Sequence, residues 1–457
     1  MSKNRMDNRS GLPENRMGTA PVHGLLIRMS LPLMASMFIQ SMYNIVDSIF
    51  VSRINEDALT AVSLCFPIQS LMIAFGIGTA LGMSALLSRF LGAKQFDRVN
   101  RVAQNGIFLS WCTYGMFFIV GFFAEKFIAI QIADARVIEY GGTYLRIVCW
   151  LSFFLFSQIT IERLLQATGK TLYIFFVQGS GAVINIIMDP ILIFGLFGMP
   201  RLGVAGAAIA TVFGQTFGAL LGLYLNFTRN KEIRISFKGF RPNLTDIREI
   251  YRIGLPSIVM QSIGSIMVFG LNQILAAFSK TAVATFGAYF KLQSFVFMPI
   301  FGMNNGLVPL IAYNYGARKP DRMREAMRIS ARYAVTFMAC GTVIFWLFPE
   351  ALLGLFDASE EMLSIGVPAL RIISIGFPIA GYAIMRGSVF QALGKSVYSM
   401  NISIVRQLVV ILPAAYLLAQ LGNIDYVWFS FTLAEVVGLV MSILYTRKIR
   451  REIIDVL

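Results

Sequence analysis

Asp47 and Asp189 are the side chains in this sequence best suited to chemistry. Both lie inside long apolar runs, where an ionised carboxylate costs roughly 2.5–3.5 kcal/mol or more. Few acids share that setting; Glu162, toward the end of its run, and Glu435 are the others. Gln40, Tyr43, Asn44 and Asp47 fall at i, i+3, i+4 and i+7, one face of a helix. Gln178, Gly181, Ala182, Asn185 and Asp189 share a face of a second helix, and their small members let a neighbour approach closely. Gln158 and Glu162 stand i, i+4 on a third. A polar face inside an apolar helix must meet protein or a wet cavity. These amides and phenols therefore hydrogen-bond between helices, orient the acids, or do both. Two carboxyl groups close together in a low-dielectric bundle do not both stay ionised. Such a pair takes up and releases protons, and a neighbouring cation competes with the proton. That is the physics of antiport. Pro190, directly after Asp189, and Pro32 loosen the local helix backbone and permit bending.

The elements that must position these groups are membrane helices. The chain is 56% hydrophobic and 14% charged, against roughly 25% charged in ordinary soluble domains. Twelve apolar runs stand at about 25–51, 59–88, 104–123, 140–162, 172–198, 204–227, 250–277, 282–313, 327–348, 363–390, 396–420 and 425–446. A helix of about twenty residues crosses a hydrocarbon layer about 30 Å thick. The predicted fold class is thus an all-α membrane protein with twelve transmembrane helices. Asp47 is 22 residues past Leu25, and Asp189 is 17 past Leu172; those are roughly 33 Å and 26 Å along outward-running helices. Tyr144 begins an inward-running one. All three belong to the outer half of the first lobe.

The chain is also duplicated. Arg28-Met29-Ser30-Leu31-Pro32 returns 224 positions later as Arg252-Ile253-Gly254-Leu255-Pro256. Gln69 meets Gln293, Gly78 and Gly82 meet Gly302 and Gly306, and Asp97-Arg98 meets Asp321-Arg322. After one residue of slippage, Gln166-Ala167-Thr168-Gly169-Lys170 matches Gln391-Ala392-Leu393-Gly394-Lys395. An apolar repeat of this length marks transporter architecture. Six spans per repeat predict two pseudo-symmetric six-helix lobes, related by an axis along the membrane normal, with a substrate cleft between them. The expected division is a polar, unstructured tail at 1–23, a first lobe at 24–227, a linker at 228–249, a second lobe at 250–447 and a tail at 448–457. In the duplicated loops, Gly92 and Gly316 are expected to end helices, and Asp97 and Asp321 to cap the next ones. The repeat also separates scaffold from function. Asp47 corresponds to Leu271 and Asp189 to Ala414, so the architecture does not require an acid at either place.

The net charge of +15 is topological and does not point to nucleic acid. Twenty-nine of the 39 Lys and Arg fall in segments on the N-terminal side of the membrane; Arg53, Lys126, Arg136, Arg201 and Lys280 fall on the other. This positive-inside bias places both termini in the cytoplasm, with anionic lipid a secondary contact. Residues 1–23 lack the apolar core of a cleaved signal peptide. Four scattered cysteines and one histidine, His23, offer no metal-ligand spacing and no Ser-His-Asp triad.

The stretch from Tyr43 to Ser52, Gly76…Gly82 and Gly92-Ala93 resembles the first two helices of multidrug and toxic compound extrusion (MATE) transporters. Asn185-Ile186-Ile187-Met188-Asp189-Pro190 is similar to their fifth helix, and Gly203-Val204-Ala205-Gly206-Ala207-Ala208 to the start of the sixth. The likeness covers about 20–450 and is nearest the bacterial DinF- and MepA-type branch. It implies cation or proton sites at Asp47 and Asp189, joined by Tyr43, Tyr144 and Asn185. Other branches carry an acid in helix seven for sodium. Here that stretch, Pro256 to Gly264 with Gln261 inside it, has none, which favours protons while leaving sodium open. Lys291, Arg386 and Arg406 lie within second-half spans. They either pair or snorkel, Glu435 neutralising one of them, or face an anionic or zwitterionic cargo. The expectation is a multi-pass antiporter of a bacterial cytoplasmic membrane, not an enzyme. It exports amphipathic, cationic small molecules by alternating access, touches membrane lipids and needs no resident cofactor; the coupling ion is H⁺, with Na⁺ the alternative. A lipid-linked oligosaccharide flippase of the same superfamily and, further off, an intramembrane enzyme are the rivals. Oligomeric state is not legible.

Overall fold

The computed structural model describes residues 14–356 and 358–457. In hydrocarbon every backbone N–H and C=O must find its partner within the segment, so long apolar runs become helices. Twelve result, and the fold is the twelve-helix one: α1 Val22–Ser52, α2 Glu56–Gly92, α3 Phe96–Gly121, α4 Ala135–Ala167, α5 Thr171–Phe194, α6 Val204–Arg229, α7 Leu244–Ala276, α8 Lys280–Gly316, α9 Pro320–Leu347, α10 Glu360–Ala392, α11 Ser396–Ala419 and α12 Ile424–Ile454. Nine are long and apolar enough to cross a membrane individually. α4 and α10 each do so as two pieces bent by 47°, at Leu151 and at Ile375-Gly376. α3 falls short by composition, because Asp97, Arg98, Arg101, Gln104 and Asn105 crowd its first turns.

The duplication reaches the backbone. Asn55 caps α2 by accepting from the Ala58 N–H at 2.7 Å, and Ser279 caps α8 by accepting from Ala282 at 3.0 Å. Short helices Ala124–Ala129 and Pro349–Gly354 occupy matching places. Gly169 and Gly394 share positive φ, as do Lys94 and Arg318. Gly92 and Gly316 are the last helical residues of α2 and α8, as expected, but the left-handed residues that follow are Lys94 and Arg318 and not the glycines. Asp97 and Asp321 lie in the first turns of α3 and α9, while the cap positions are Gln95 and Lys319.

The described residues form two compact units, 14–19 with 35–255, and 20–34 with the described part of 256–457. The boundary is therefore not the linker expected at 228–249. Each unit takes in the opening turns of a helix whose remainder belongs to the other. In the first unit the start of α7 lies against α2, where a Cβ on Gly254 would stand 2.7 Å from the Gly78 carbonyl oxygen. Asp246, fully buried, accepts from Arg101 Nε at 2.5 Å and pairs with Arg98 at 3.4 Å. α7 thus begins at Leu244, inside the expected linker. In the second unit the start of α1 lies against α8, where a Cβ on Gly302 would stand 2.7 Å from Met34 Cα. Four of the glycines shared by the repeats, Gly78, Gly82, Gly302 and Gly306, serve these close approaches.

Both ends of the chain are more ordered than expected. Residues 1–13 lie outside the described residues, but Arg16–Thr19 is helical and Met17 is buried. Asn15 Nδ2 donates to the Thr168 carbonyl at 3.0 Å and to Glu232 at 2.6 Å. At the other end α12 runs through the expected tail to Ile454.

Candidate functional site

Asp47, Tyr43, Tyr144, Asn185 and Asp189 all belong to the first unit. α1 and α5 meet beside the acids, where Phe50 packs edge-on against Phe194 at 6.5 Å. Beneath them Val51, Ala58, Tyr144, Cys149, Ile193 and Ala207 form a buried cluster drawn from α1, α2, α4, α5 and α6. α5 and α6 approach through Gly181 and Gly214: a Cβ on either would lie 2.9 Å or 2.6 Å from the other's carbonyl oxygen. That closeness buries Asn185 and Asp189, at 2% and 0% exposure. Pro190 within α5 has no N–H, so the Ile186 carbonyl loses its helical donor one turn from Asp189.

Tyr43 and Asp47 are half-buried on α1, and Tyr144 is buried on α4 with its hydroxyl accepting from Gln69 Nε2 at 3.2 Å. Asp47 Oδ1, both Asp189 carboxylate oxygens, and Asn185 Oδ1 and Nδ2 are buried with no hydrogen-bond partner among the described residues. Buried polar atoms nearly always have partners. Four of these five atoms are oxygens with acceptor capacity to spare, and Asn185 Nδ2 is a donor.

Glu162 is arranged differently. Gln158 Nε2 donates to one of its oxygens at 3.0 Å and Gln178 Nε2 to the other at 2.8 Å. Both oxygens are met, which suits a structural clamp between α4 and α5. Gln40 and Asn44 are exposed on α1, and the Ser48 hydroxyl donates to the Asn44 backbone carbonyl at 2.9 Å. In the second unit Gln261 and Lys291 are exposed; Lys291 lies 5.9 Å from the Phe356 ring. Arg406 and Glu435 form an ion pair at 3.0 Å. Arg406 stands in a π-helical stretch, Val405–Ile411, just before Pro413. Arg386 stacks on Tyr382 at 4.6 Å. Gln69 is the participant that sequence reasoning passed over, since its duplicate Gln293 made it look like scaffold. The signal was there: Gln69 is an amide in the middle of an apolar run.

The MatE family profile matches residues 32–191 and 256–417, one stretch in each repeat. The chain belongs to the MatE family. Among curated proteins it is 28% identical over 430 residues to the multidrug export protein MepA of Staphylococcus haemolyticus, covering 93% of this chain and 94% of that one. It is 26% identical over 419 residues to MepA of Staphylococcus aureus, covering 91% of each. Among solved structures, a MOP superfamily transporter from Pyrococcus furiosus superposes with a TM-score of 0.88 at 24% identity, covering 96% of this chain and 98% of that one. Membership makes this a multi-pass protein of an ion-coupled transporter family. No group of three or more His, Cys, Asp or Glu capable of holding a metal exists among the described residues.

Proposed function

We propose that this MatE protein is a secondary multidrug efflux antiporter. It exports amphipathic, cationic organic compounds in exchange for protons, with sodium the alternative at the same acids. The observation that carries this reading is two carboxylates, Asp47 and Asp189, with buried unmet oxygens on helices that touch at Phe50 and Phe194, where the second repeat has Leu271 and Ala414. Protonation removes a buried charge; deprotonation demands a counter-cation. Tyr43 and Asn185 help hold the occupied state, and Tyr144 is kept in place by Gln69. Pro190 lets α5 change shape as occupancy changes. The MepA relatives, named as multidrug export proteins, support the cargo class. α7 holds no acid between Pro256 and Gly264, which favours protons. The distribution of Lys and Arg supports both termini in the cytoplasm, and the staphylococcal relatives support a bacterial cytoplasmic membrane. One charge crossing 100 mV supplies about 2.3 kcal/mol, enough for roughly a fiftyfold gradient. A flippase for lipid-linked oligosaccharides would use extra spans and surplus cations along its path; Arg406 is balanced by Glu435 and is not such a surplus.

The test is dye efflux from proteoliposomes under imposed pH or sodium gradients. Asp47→Asn and Asp189→Asn should each lower gradient-driven export at least about tenfold while the protein still purifies as a single species. Wild-type export under a pH gradient that survives either change would refute the reading, and a response to sodium alone would reassign the ion.

A further inference from the structure

α9 carries Arg324, Arg328 and Arg332 at i, i+4 and i+8, one stripe of its surface. With Arg386 of α10 and Arg450 of α12 they line a cavity of about 540 Å³ inside the second unit. No acidic side chain lines it. Asp455, at its rim, pairs with Arg324 at 2.8 Å and Arg450 at 3.4 Å, and Asp321 pairs with Arg324 at 2.8 Å. The hydrogen bond from Arg324 holds the Asp455 carboxyl below the usual carboxylate range, so it stays charged at neutral pH. Two anions against five guanidinium groups leave the site cationic. Arg328 and Arg332 are exposed and meet no carboxylate among the described residues. Arg324 Nε, Arg386 Nε and Thr446 Oγ1, all on lining residues, are buried without a hydrogen-bond partner among the described residues.

The first repeat supplies a comparison. Arg324, Arg328, Arg332 and Val335 correspond, 224 positions earlier, to Asn100, Gln104, Phe108 and Trp111. There the same helix face is covered by the connector between repeats. Asn100 Oδ1 accepts from the Arg234 N–H at 3.0 Å, and Gln104 donates to the Ser236 carbonyl. Phe108 packs on Phe240 at 5.8 Å, and Trp111 stacks on Phe237 at 5.1 Å. The fold thus has a groove at this place in each half. In one half chain fills it; in the other its wall has become arginine.

A guanidinium presents a planar fork that matches phosphate oxygens, and several forks around one cavity suit a phosphate ester. Apolar side chains make up much of the remaining wall, with Met327 and Ala331 buried on α9 and Ile454 on α12, beside Thr336, Tyr382 and Thr446. Arg332 is 12 residues beyond Pro320, roughly 18 Å along the helix, so the charge reaches from the helix end into the span. A site that joins phosphate-binding forks to apolar walls fits an amphiphile better than a free ion. We propose that this cavity binds the phosphate headgroup of an anionic phospholipid, such as phosphatidylglycerol, at the membrane face where α9 begins. The proposal goes beyond the antiport reading and borrows from it only the placement in the membrane.

The full chain and the double variant Arg328→Gln/Arg332→Gln, both purified in detergent, are offered phosphatidylglycerol, phosphatidylcholine and inorganic phosphate. Native mass spectrometry counts what is retained. Both arginines are exposed, so the variant should fold as the wild type does. The wild type should hold phosphatidylglycerol in preference to phosphatidylcholine, and the double variant should lose that preference by about tenfold or more. Equal retention of the two lipids by the wild type overturns the proposal, as does an unchanged preference in the variant. Displacement of phosphatidylglycerol by an equal concentration of inorganic phosphate overturns the lipid assignment. Asp47→Asn should keep the preference, which separates failure of this site from failure of the antiport reading.

Discussion

Glu435 and Arg406 show how a single charge inside a membrane bundle is made tolerable. Their side chains are 15% and 21% exposed and pair at 3.0 Å. Breaking a buried pair by removing one partner leaves an uncompensated charge and costs about 3–5 kcal/mol; the partial exposure here brings the expectation down to about 2 kcal/mol. Glu435→Gln should therefore lower the unfolding temperature in detergent, and adding Arg406→Met should restore most of the loss. A double variant no more stable than Glu435→Gln would show that the pair is not the cause. At this scale the sequence was partly legible. Asp47 and Asp189 stand out because Leu271 and Ala414 occupy their duplicate positions. Gln69 does not, because its duplicate is also glutamine. Helical spacing grouped Gln40 and Asn44 with Asp47, yet their side chains are exposed. Spacing fixes a face to within about a third of a turn, and the neighbour decides which edge of that face is covered.

Among the elements, α5 and α6 make the closest approach next to the acids, because Gly181 and Gly214 bring backbone to backbone. A methyl group at either position has no flexible side chain to push aside; it meets a carbonyl oxygen. Gly181→Ala and Gly214→Ala should each destabilise the protein by about 1–3 kcal/mol and shift Asn185 relative to α6, to which its Cβ is already close. Thermal unfolding with and without a transported dye checks this, and unchanged stability in both variants would contradict the packing argument. Hydropathy located twelve helices but not their shape. The 47° bends in α4 and α10 fall at corresponding places, and only the second has a local cause in the sequence, Gly376 followed by Pro378. The first, at Leu151, has neither glycine nor proline. The π-helical stretch of α11 was equally hidden, since Pro413 signals a disturbance without saying which kind.

At the scale of the whole molecule, the repeat predicts two six-helix halves, and the compact units follow those halves except at 20–34 and up to residue 255. It could not tell where one compact unit stops. Apolar periodicity identifies an element but carries no information on which neighbours that element meets. So residues 24–34 and 250–255 were read with their own repeats, whereas they cluster with the other unit. A chain divided after Phe240 tests this. Fragments 1–240 and 241–457, made together, should copurify as one species. Each made alone should aggregate, because the first lacks 244–255 and the second lacks 20–34. Stable, monodisperse single fragments would contradict the exchange.

That exchange sets an order on biosynthesis. Residues 20–34 leave the ribosome about 220 residues before the helices they belong with begin to emerge. The first bundle, in turn, stays open along one side until residue 255 has been synthesised. Neither half can mature independently of the other, so a nascent chain stalled in the connector would expose unfinished surfaces on both and be a ready target for membrane proteolysis.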